Sequence, residues 1–233
     1  MEMIHKAPHQ GKIYSKIQRI CPKIIEKWKD FYTGIVLDHR GKVGYLDGIL
    51  PIDSGMTVCG QAITCLGGDL TIRRMAINLA HPGDVLVVAA GGNGRSACFG
   101  DGTALKMQLK GISGVVLDSA TRDAKFLRKM RFSTFSLGIT AKNSHYPKFI
   151  EYGSINVPVV VAGSIVNPGD LILGDDDGVV VVPFDEIVDL TPIIEANLKA
   201  ERIQRRSCLV FENYEVRESL ADHGLEFIEG TFK

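Results

Sequence analysis

The chain is short of the features that would place it in several large classes. Charge of one sign is missing: Lys+Arg and Asp+Glu each number 27 in 233 residues, a balance that argues against general phosphate-backbone binding, which normally needs a basic face, and no local basic patch stands out. No apolar run approaches the roughly 18 residues of a membrane span. The first residues, MEMIHKAPHQGKIYSKIQRICPK, lack the apolar centre of a signal peptide. The histidines (His5, His9, His39, His81, His145, His223) are scattered without an H-x-x-x-H pair, which argues against zinc. G-x-S-x-G and Walker motifs are absent as well. Cysteine is sparse and odd in number: Cys21, Cys59, Cys65, Cys98 and Cys208 show no C-x-x-C spacing. They read as reduced thiols of a cytoplasmic protein, mostly ordinary core residues. Cys98 is the one candidate for a reactive thiol, although no histidine is close to it in sequence.

What is present is a chain with 45% hydrophobic residues, enough for one large domain or two small ones. Ile17, Ile20, Ile24 and Ile25 among Lys and Arg predict an N-terminal helical segment over residues 1–32, interrupted by Pro22. Strands are expected at Gly60–Cys65, Val85–Ala89, Gly114–Asp118, Phe135–Ile139, Val157–Val161 and Val179–Val182. Helices are expected at Ile72–Leu79, from near Gly102, and at Ala124–Met130. A long polar helix is expected from Thr191-Pro192 to about Arg206, with Thr191 as N-cap and Pro192 at the first helical position. A short helix and an extended end are expected over Val216–Lys233. Helices alternate with strands first and strands cluster later, which predicts an α/β fold with a mixed sheet.

The chemistry concentrates between Gly91 and Asp123. Gly91, Gly92, Gly94, Gly100 and Gly102 follow a strand-like run and predict a loop that enters a helix, with backbone amides open to a carboxylate or phosphate. Gly92-x-Gly94-x-x-Ala97 with Asp118 also matches a dinucleotide fingerprint in outline, but glycines would then fall in the first helical turns, and Asp101 would face a pyrophosphate. Asp101 and Asp123 each stand where a strand-to-helix loop ends, so each could be either an N-cap or a ligand to a hard cation such as Mg2+. Arg122 beside Asp123 could hold a substrate carboxylate or a developing enolate. Asp175-Asp176-Asp177-Gly178 lacks the spacing of a calcium loop and reads as a turn between strands.

Phe99-Gly100-Asp101, Gly114-Val115-Val116-Leu117-Asp118 and Arg122-Asp123 resemble the RraA-like family, most closely its 4-hydroxy-4-methyl-2-oxoglutarate / 4-carboxy-4-hydroxy-2-oxoadipate aldolases. Gly60–Thr64, Pro82–Val88, Asn167-Pro168-Gly169-Asp170 and Asp176–Pro183 add to the likeness, which runs from about Thr33 onward. The resemblance implies a single β/β/α layered, swivelling-domain-like core over residues 33–190. It also implies a C-terminal helix and tail over residues 191–233 that completes a neighbouring subunit's site in a homotrimer or dimer of trimers.

By the same resemblance the activity is a metal-dependent class II pyruvate aldolase acting on a small oxo acid. Asp123 is the protein ligand to Mg2+ (or Mn2+), and Arg122 contacts the pyruvate oxygens. The loop of Gly100, Asp101, Gly102, Thr103 and Ala104 holds the carboxylate, and Asp101 orders water. Glu201 is the best match for the acid from the adjacent subunit, Glu195 a weaker one. Ala89-Ala90, where relatives often carry Asp, is a departure that bears on substrate identity. A Schiff-base route would need a desolvated lysine, whereas Lys106, Lys110 and Lys125 read as solvated helix residues. The other reading is an RraA-type protein regulator of ribonuclease E; such regulators are expected to end soon after the Val-Val-Pro strand, while this chain continues for about fifty residues.

Overall fold

The computed structural model describes residues 11–67, 69–143, 153–207, 223–226 and 228–231. Cys208, His5, His9, His145 and most of the segment 216–233 lie outside these. Compact packing divides the chain into residues 1–195 and 196–233.

The first unit is built on one sheet whose central strands are β2 (Val58–Leu66), β3 (Val85–Phe99) and β4 (Gly114–Thr121), with β1 (Leu50–Pro51), β5 (Ser133–Ile139) and β6 (Ser154–Ile155) around them. β7 (Val159–Val161) and β8 (Ser164–Val166) form a separate two-stranded ribbon. β9 (Leu171–Asp175) and β10 (Gly178–Val182) complete the main sheet, whose order is β1-β5-β4-β3-β2-β9-β10 with β6 also on β2. Val85–Val88 and Val115–Leu117 are buried throughout, so these strands read as continuous apolar runs, as expected where both faces are covered.

β2 does two jobs. Val58–Gln61 pairs antiparallel with β9, and Ala62–Leu66 pairs parallel with β3. The sheet thereby curls into a nearly closed barrel. Its two free edges are bridged by one segment: Tyr45 pairs with Val180 of β10, and Leu50 and Pro51 pair with β5.

The crossovers β2–β3, β3–β4 and β4–β5 carry α3 (Leu70–Leu79), α4 (Asp101–Leu109) and α5 (Ala124–Met130). Because the four strands are parallel, the starts of all three helices gather at one edge of the sheet. Lys110, just past the end of α4, donates to the carbonyls of Ile77 (2.7 Å) and Asn78 (2.6 Å) in the last turn of α3. α3 and α4 are therefore pinned at their C-terminal ends.

Two expectations fail locally. Pro22 does not interrupt a helix but starts one, α1 (Pro22–Trp28), followed by α2 (Thr33–His39). Its fixed φ and absent N–H suit the first helical position, and Ile13 meanwhile bridges to Ile155 in extended form. The C-terminal helix α6 (Ile187–Ser207) begins a turn before Thr191. Thr191 is buried and not a cap: its hydroxyl donates to the Ile187 carbonyl (2.6 Å) and accepts from Trp28 Nε1 (2.8 Å). Pro192 withholds an N–H from the carbonyl of Val188, an exposed residue in the first turn of the helix. The Asp175–Gly178 segment is the expected turn. Asp175 accepts from the amide and hydroxyl of Thr33 (2.8 Å each), anchoring the start of α2.

Close packing leaves β2 no tolerance at Gly60, where an added Cβ would lie 2.1 Å from the carbonyl oxygen of Gly83. Replacing Gly60 by Ala should lower unfolding free energy by about 1–3 kcal/mol through backbone displacement, measurable by urea denaturation.

Candidate active site

The glycine-rich stretch is two structures, not one loop. β3 does not stop at Ala89; it leaves register after Val88↔Leu117 and pairs on irregularly through Asn93↔Ser119, Ala97↔Ala120 and Phe99↔Thr121. Gly91 (φ +97°) and Gly92 (φ +69°) supply backbone angles that other residues rarely adopt. Asp118 reaches across from β4 to accept the amides of Ala90 and Gly92. Burial pushes the Asp118 carboxyl above its ordinary value, and those two amides pull it the other way. Asp118 lies inside β4 and its carboxylate is taken up by those two amides, not at the strand end where the dinucleotide fingerprint needs its acid.

Gly100 and Gly102 belong to the second structure, the start of α4. Thr121 Oγ1 and the Arg122 amide both donate to the Phe99 carbonyl (3.1 and 2.9 Å), clamping the end of β4 against the end of β3. That clamp delivers Arg122 and Asp123 beside Gly100. Neither acid is a side-chain cap. Asp101 is the first residue of α4, after the N-cap Gly100, and its Oδ1 accepts from the next amide, Gly102 (2.6 Å).

Asp123 precedes α5 in the left-handed conformation (φ 59°, ψ 29°) and makes no side-chain bond to that helix. Its carboxylate turns back instead: Oδ2 lies 3.3 Å from Arg122 Nε and only 2.4 Å from where a Cβ on Gly100 would stand. A non-glycine residue in this region is uncommon, with Asp and Asn enriched among the exceptions.

Around this pair is a cavity of about 500 Å3 to which Gly100, Asp101, Gly102, Thr103, Arg122 and Asp123 all contribute. Ala104 stays off its wall, fully buried. The amides of Thr103 and Ala104 both donate to the Gly100 carbonyl (3.1 Å each), so they serve the helix start.

Cys98 also lines the cavity, buried and hydrogen-bonded to the Ser119 hydroxyl. Cys59 and Cys65 are core thiols, each pushed up to about 12 by burial. Lys106 is a cavity residue and not a merely solvated one. Glu195 pairs with Lys27 (2.9 Å) within the first unit; Glu201 lies in the second and pairs with Arg205 (3.2 Å).

Sequence reasoning missed the α3 contribution. Asp69, Arg73 and Arg74 line the same cavity, with Asp69 capping α3 through the Thr71 amide (2.7 Å). The available signal was the pairing of two consecutive strand–helix units, which sets the starts of α3 and α4 side by side.

The donor chemistry suits a hard divalent cation. Asp101 and Asp123 offer carboxylate oxygens in a cavity with room for water and substrate, the mixed shell that Mg2+ takes. Among the described residues no group of three or more His, Cys, Asp and Glu gathers as a self-sufficient cage.

Residues 22–181 match the family described as RraA-like, Aldolase/RraA. A Halalkalibacterium halodurans protein, provisionally named a 4-hydroxy-4-methyl-2-oxoglutarate aldolase, is 38% identical over 137 residues, 58% of this chain. The match covers 64% of that relative, just under two thirds of its length. The 4-hydroxy-4-methyl-2-oxoglutarate aldolase of Thermus thermophilus is 34% identical over 115 residues, 49% of this chain and 68% of the relative. Among solved structures, Streptomyces coelicolor RraAS2, described as an unusual member of the RNase ES inhibitor RraA protein family, superposes with TM-score 0.69 at 27% identity. That superposition covers 82% of this chain and 99% of RraAS2. The chain belongs to the RraA-like family. No helix among the described residues is long and apolar enough to cross a membrane.

Proposed function

We propose that the chain is a divalent-metal-dependent class II pyruvate aldolase that cleaves a 4-hydroxy-2-oxo di- or tricarboxylic acid to pyruvate and a second oxo acid. The observation that carries this reading is Asp123, held in the left-handed region with its carboxylate against Gly100 and Arg122 and not capping α5. Relatives named as aldolases support it.

Asp123 is the metal ligand in this reading, with Asp101 holding water. A Mg2+ or Mn2+ held by Asp123 would supply Lewis-acid charge to the pyruvyl end of the substrate. Arg122 takes the pyruvyl oxygens through its planar fork, aided by the partial positive charge at the start of α4. Water ordered by Asp101 accepts the 4-hydroxyl proton. The C3–C4 bond then breaks: the former hydroxyl carbon becomes a carbonyl, and the electron pair passes to the pyruvyl fragment as enolate. Arg122 stabilises that charge where it develops, and protonation at C3 releases pyruvate. Glu201 of a second copy completes the acid–base set, as part of a homotrimer or dimer of trimers. Oxaloacetate decarboxylation is a side activity through the same enolate.

The test is pyruvate release from a panel of 4-hydroxy-2-oxo acids and oxaloacetate, with and without Mg2+. Metal-dependent release abolished by chelator is expected. No release from any substrate with metal supplied would move the reading to the regulator that the RraAS2 description suggests, and borohydride trapping of pyruvate on Lys106 would replace the metal route. Arg122→Lys should fold normally, since the side chain is 46% exposed. It should lower kcat/KM on the order of a hundredfold, because a point charge cannot reproduce the bidentate fork.

A further inference from the structure

We propose that Asp118 is a positioning residue for this site: by filling a cradle of backbone amides at residues 90–92 it sets the register at which β3 returns to the sheet, and so decides which residue of β3 stands beside Asp123. This rests on the site assigned above to Gly100, Arg122 and Asp123 and adds the residue that aligns them.

The site needs that register. The place beside Asp123 Oδ2 has no room for a Cβ, which would stand 2.4 Å away, and Gly100 leaves it open. Its neighbours in the chain are Phe99 and Asp101, so a shift of β3 by one residue in either direction puts a side chain there. The ladder alone does not hold β3 in place. From Val88↔Leu117 to Ala97↔Ala120 it advances nine residues, 88 to 97, while β4 advances three, 117 to 120, so six are surplus. This excursion is exposed at Gly91, Gly92, Asn93 and Arg95.

β4 holds both ends of the excursion from one buried run. At the return, Ser119 bonds the Cys98 thiol (2.8 Å) and Thr121 donates to the Phe99 carbonyl (3.1 Å). Thr121 reads no sequence, since every residue of a slipped strand would offer it a carbonyl. Asp118, at the departure, is selective. Its two donors, the amides of Ala90 and Gly92, converge because Gly91 and Gly92 take successive left-handed angles (φ +97° and +69°), which glycine alone adopts freely. The carboxylate therefore fits one place in the sequence and fixes how many residues remain before Gly100. It is 4% exposed, with no cation paired to it among the described residues, a costly group to bury merely to close a bulge. Asp118 is not part of the cavity wall, so it acts through the strand.

The experiment uses the full chain in two variants, Asp118→Asn and Asp118→Ala, read first by amide hydrogen exchange. In both, exchange over residues 97–104 should rise on the order of tenfold, the scale of one charge-assisted contact, while residues 171–182, beyond β2, exchange as in wild type. Asparagine does not substitute, because it accepts from one amide and presents its own N–H groups to the other. Formate, small enough for the space left in Asp118→Ala, should restore slow exchange; chloride at the same ionic strength should not. In the same variants Mg2+ binding should weaken and kcat for any cleaved oxo acid should fall, each on the order of tenfold, and both should recover with formate in Asp118→Ala. Unchanged exchange over residues 97–104, an equal rise in every segment, failure of both variants to fold, or an alanine variant indifferent to formate overturns the proposal. Local loosening with formate rescue, in a protein that releases no pyruvate from any substrate, keeps Asp118 in this role and sinks the aldolase reading. Pyruvate release undiminished in both variants does the reverse.

Discussion

Asp123→Asn should abolish turnover while leaving the fold intact. Asparagine adopts the left-handed region at least as readily as aspartate, so the backbone at φ 59° keeps its conformation and the start of α5 is undisturbed. The carboxylate forms no cap that the amide would have to replace. Only the charge and one oxygen donor are removed, and with them the grip on a hard cation and the partner of Arg122 Nε. We expect kcat/KM to fall on the order of a thousandfold and Mg2+ binding followed by calorimetry to vanish, with little change in the melting temperature. Asp123→Gly sharpens the point: glycine relaxes the positive φ and should hold or raise stability, by up to about 1 kcal/mol, yet it should be equally inactive. A residue whose removal improves the fold and destroys the activity is retained for chemistry. Activity within about tenfold of wild type in either variant would refute the assignment.

The second large effect is expected at Gly100→Ala. No backbone strain is involved, because φ is −166° and extended. The methyl group would instead stand 2.4 Å from Asp123 Oδ2 and 3.2 Å from Arg122 Cγ. Asp123 has one escape, rotation of its carboxylate away from the cavity, and that costs the alignment with Arg122. A displacement of about 1 Å at a reacting centre costs roughly a hundredfold. We expect that loss in kcat/KM, a raised metal dissociation constant and a cooperative unfolding transition close to wild type. Full activity with a normal metal requirement would show that the carboxylate does not work where it sits.

Both predictions concern residues that stood out in the sequence, and the reason is local. Gly114–Asp118 is an unmistakable buried run, Arg122-Asp123 follows at its end, and strand ends of this kind gather at one edge in an α/β fold. Glycine at 100 preserves space for a side chain twenty-three positions away, which composition reveals only as an unexplained glycine. Gly91–Gly94 misled for a non-local reason: whether glycines make a ligand loop or a strand bulge is decided by Asp118 reaching back from the neighbouring strand. Thr191-Pro192 carries every local mark of a helix start, and the hydroxyl is spent on Trp28 and Ile187 instead. Arg73 and Arg74 could not be placed without knowing that β2 and β3 run side by side in parallel, which sets the start of α3 beside that of α4.

The segment from Tyr45 to Pro51 has a consequence for life at high concentration. Open sheets offer their outermost hydrogen-bonding groups to any passing extended chain and can grow into fibres. Here one short stretch occupies both outer strands, β10 with Tyr45 and β5 with Leu50. Both outer strands are thereby partly blunted as templates, so copies of this protein crowded together have less open edge there on which to pair.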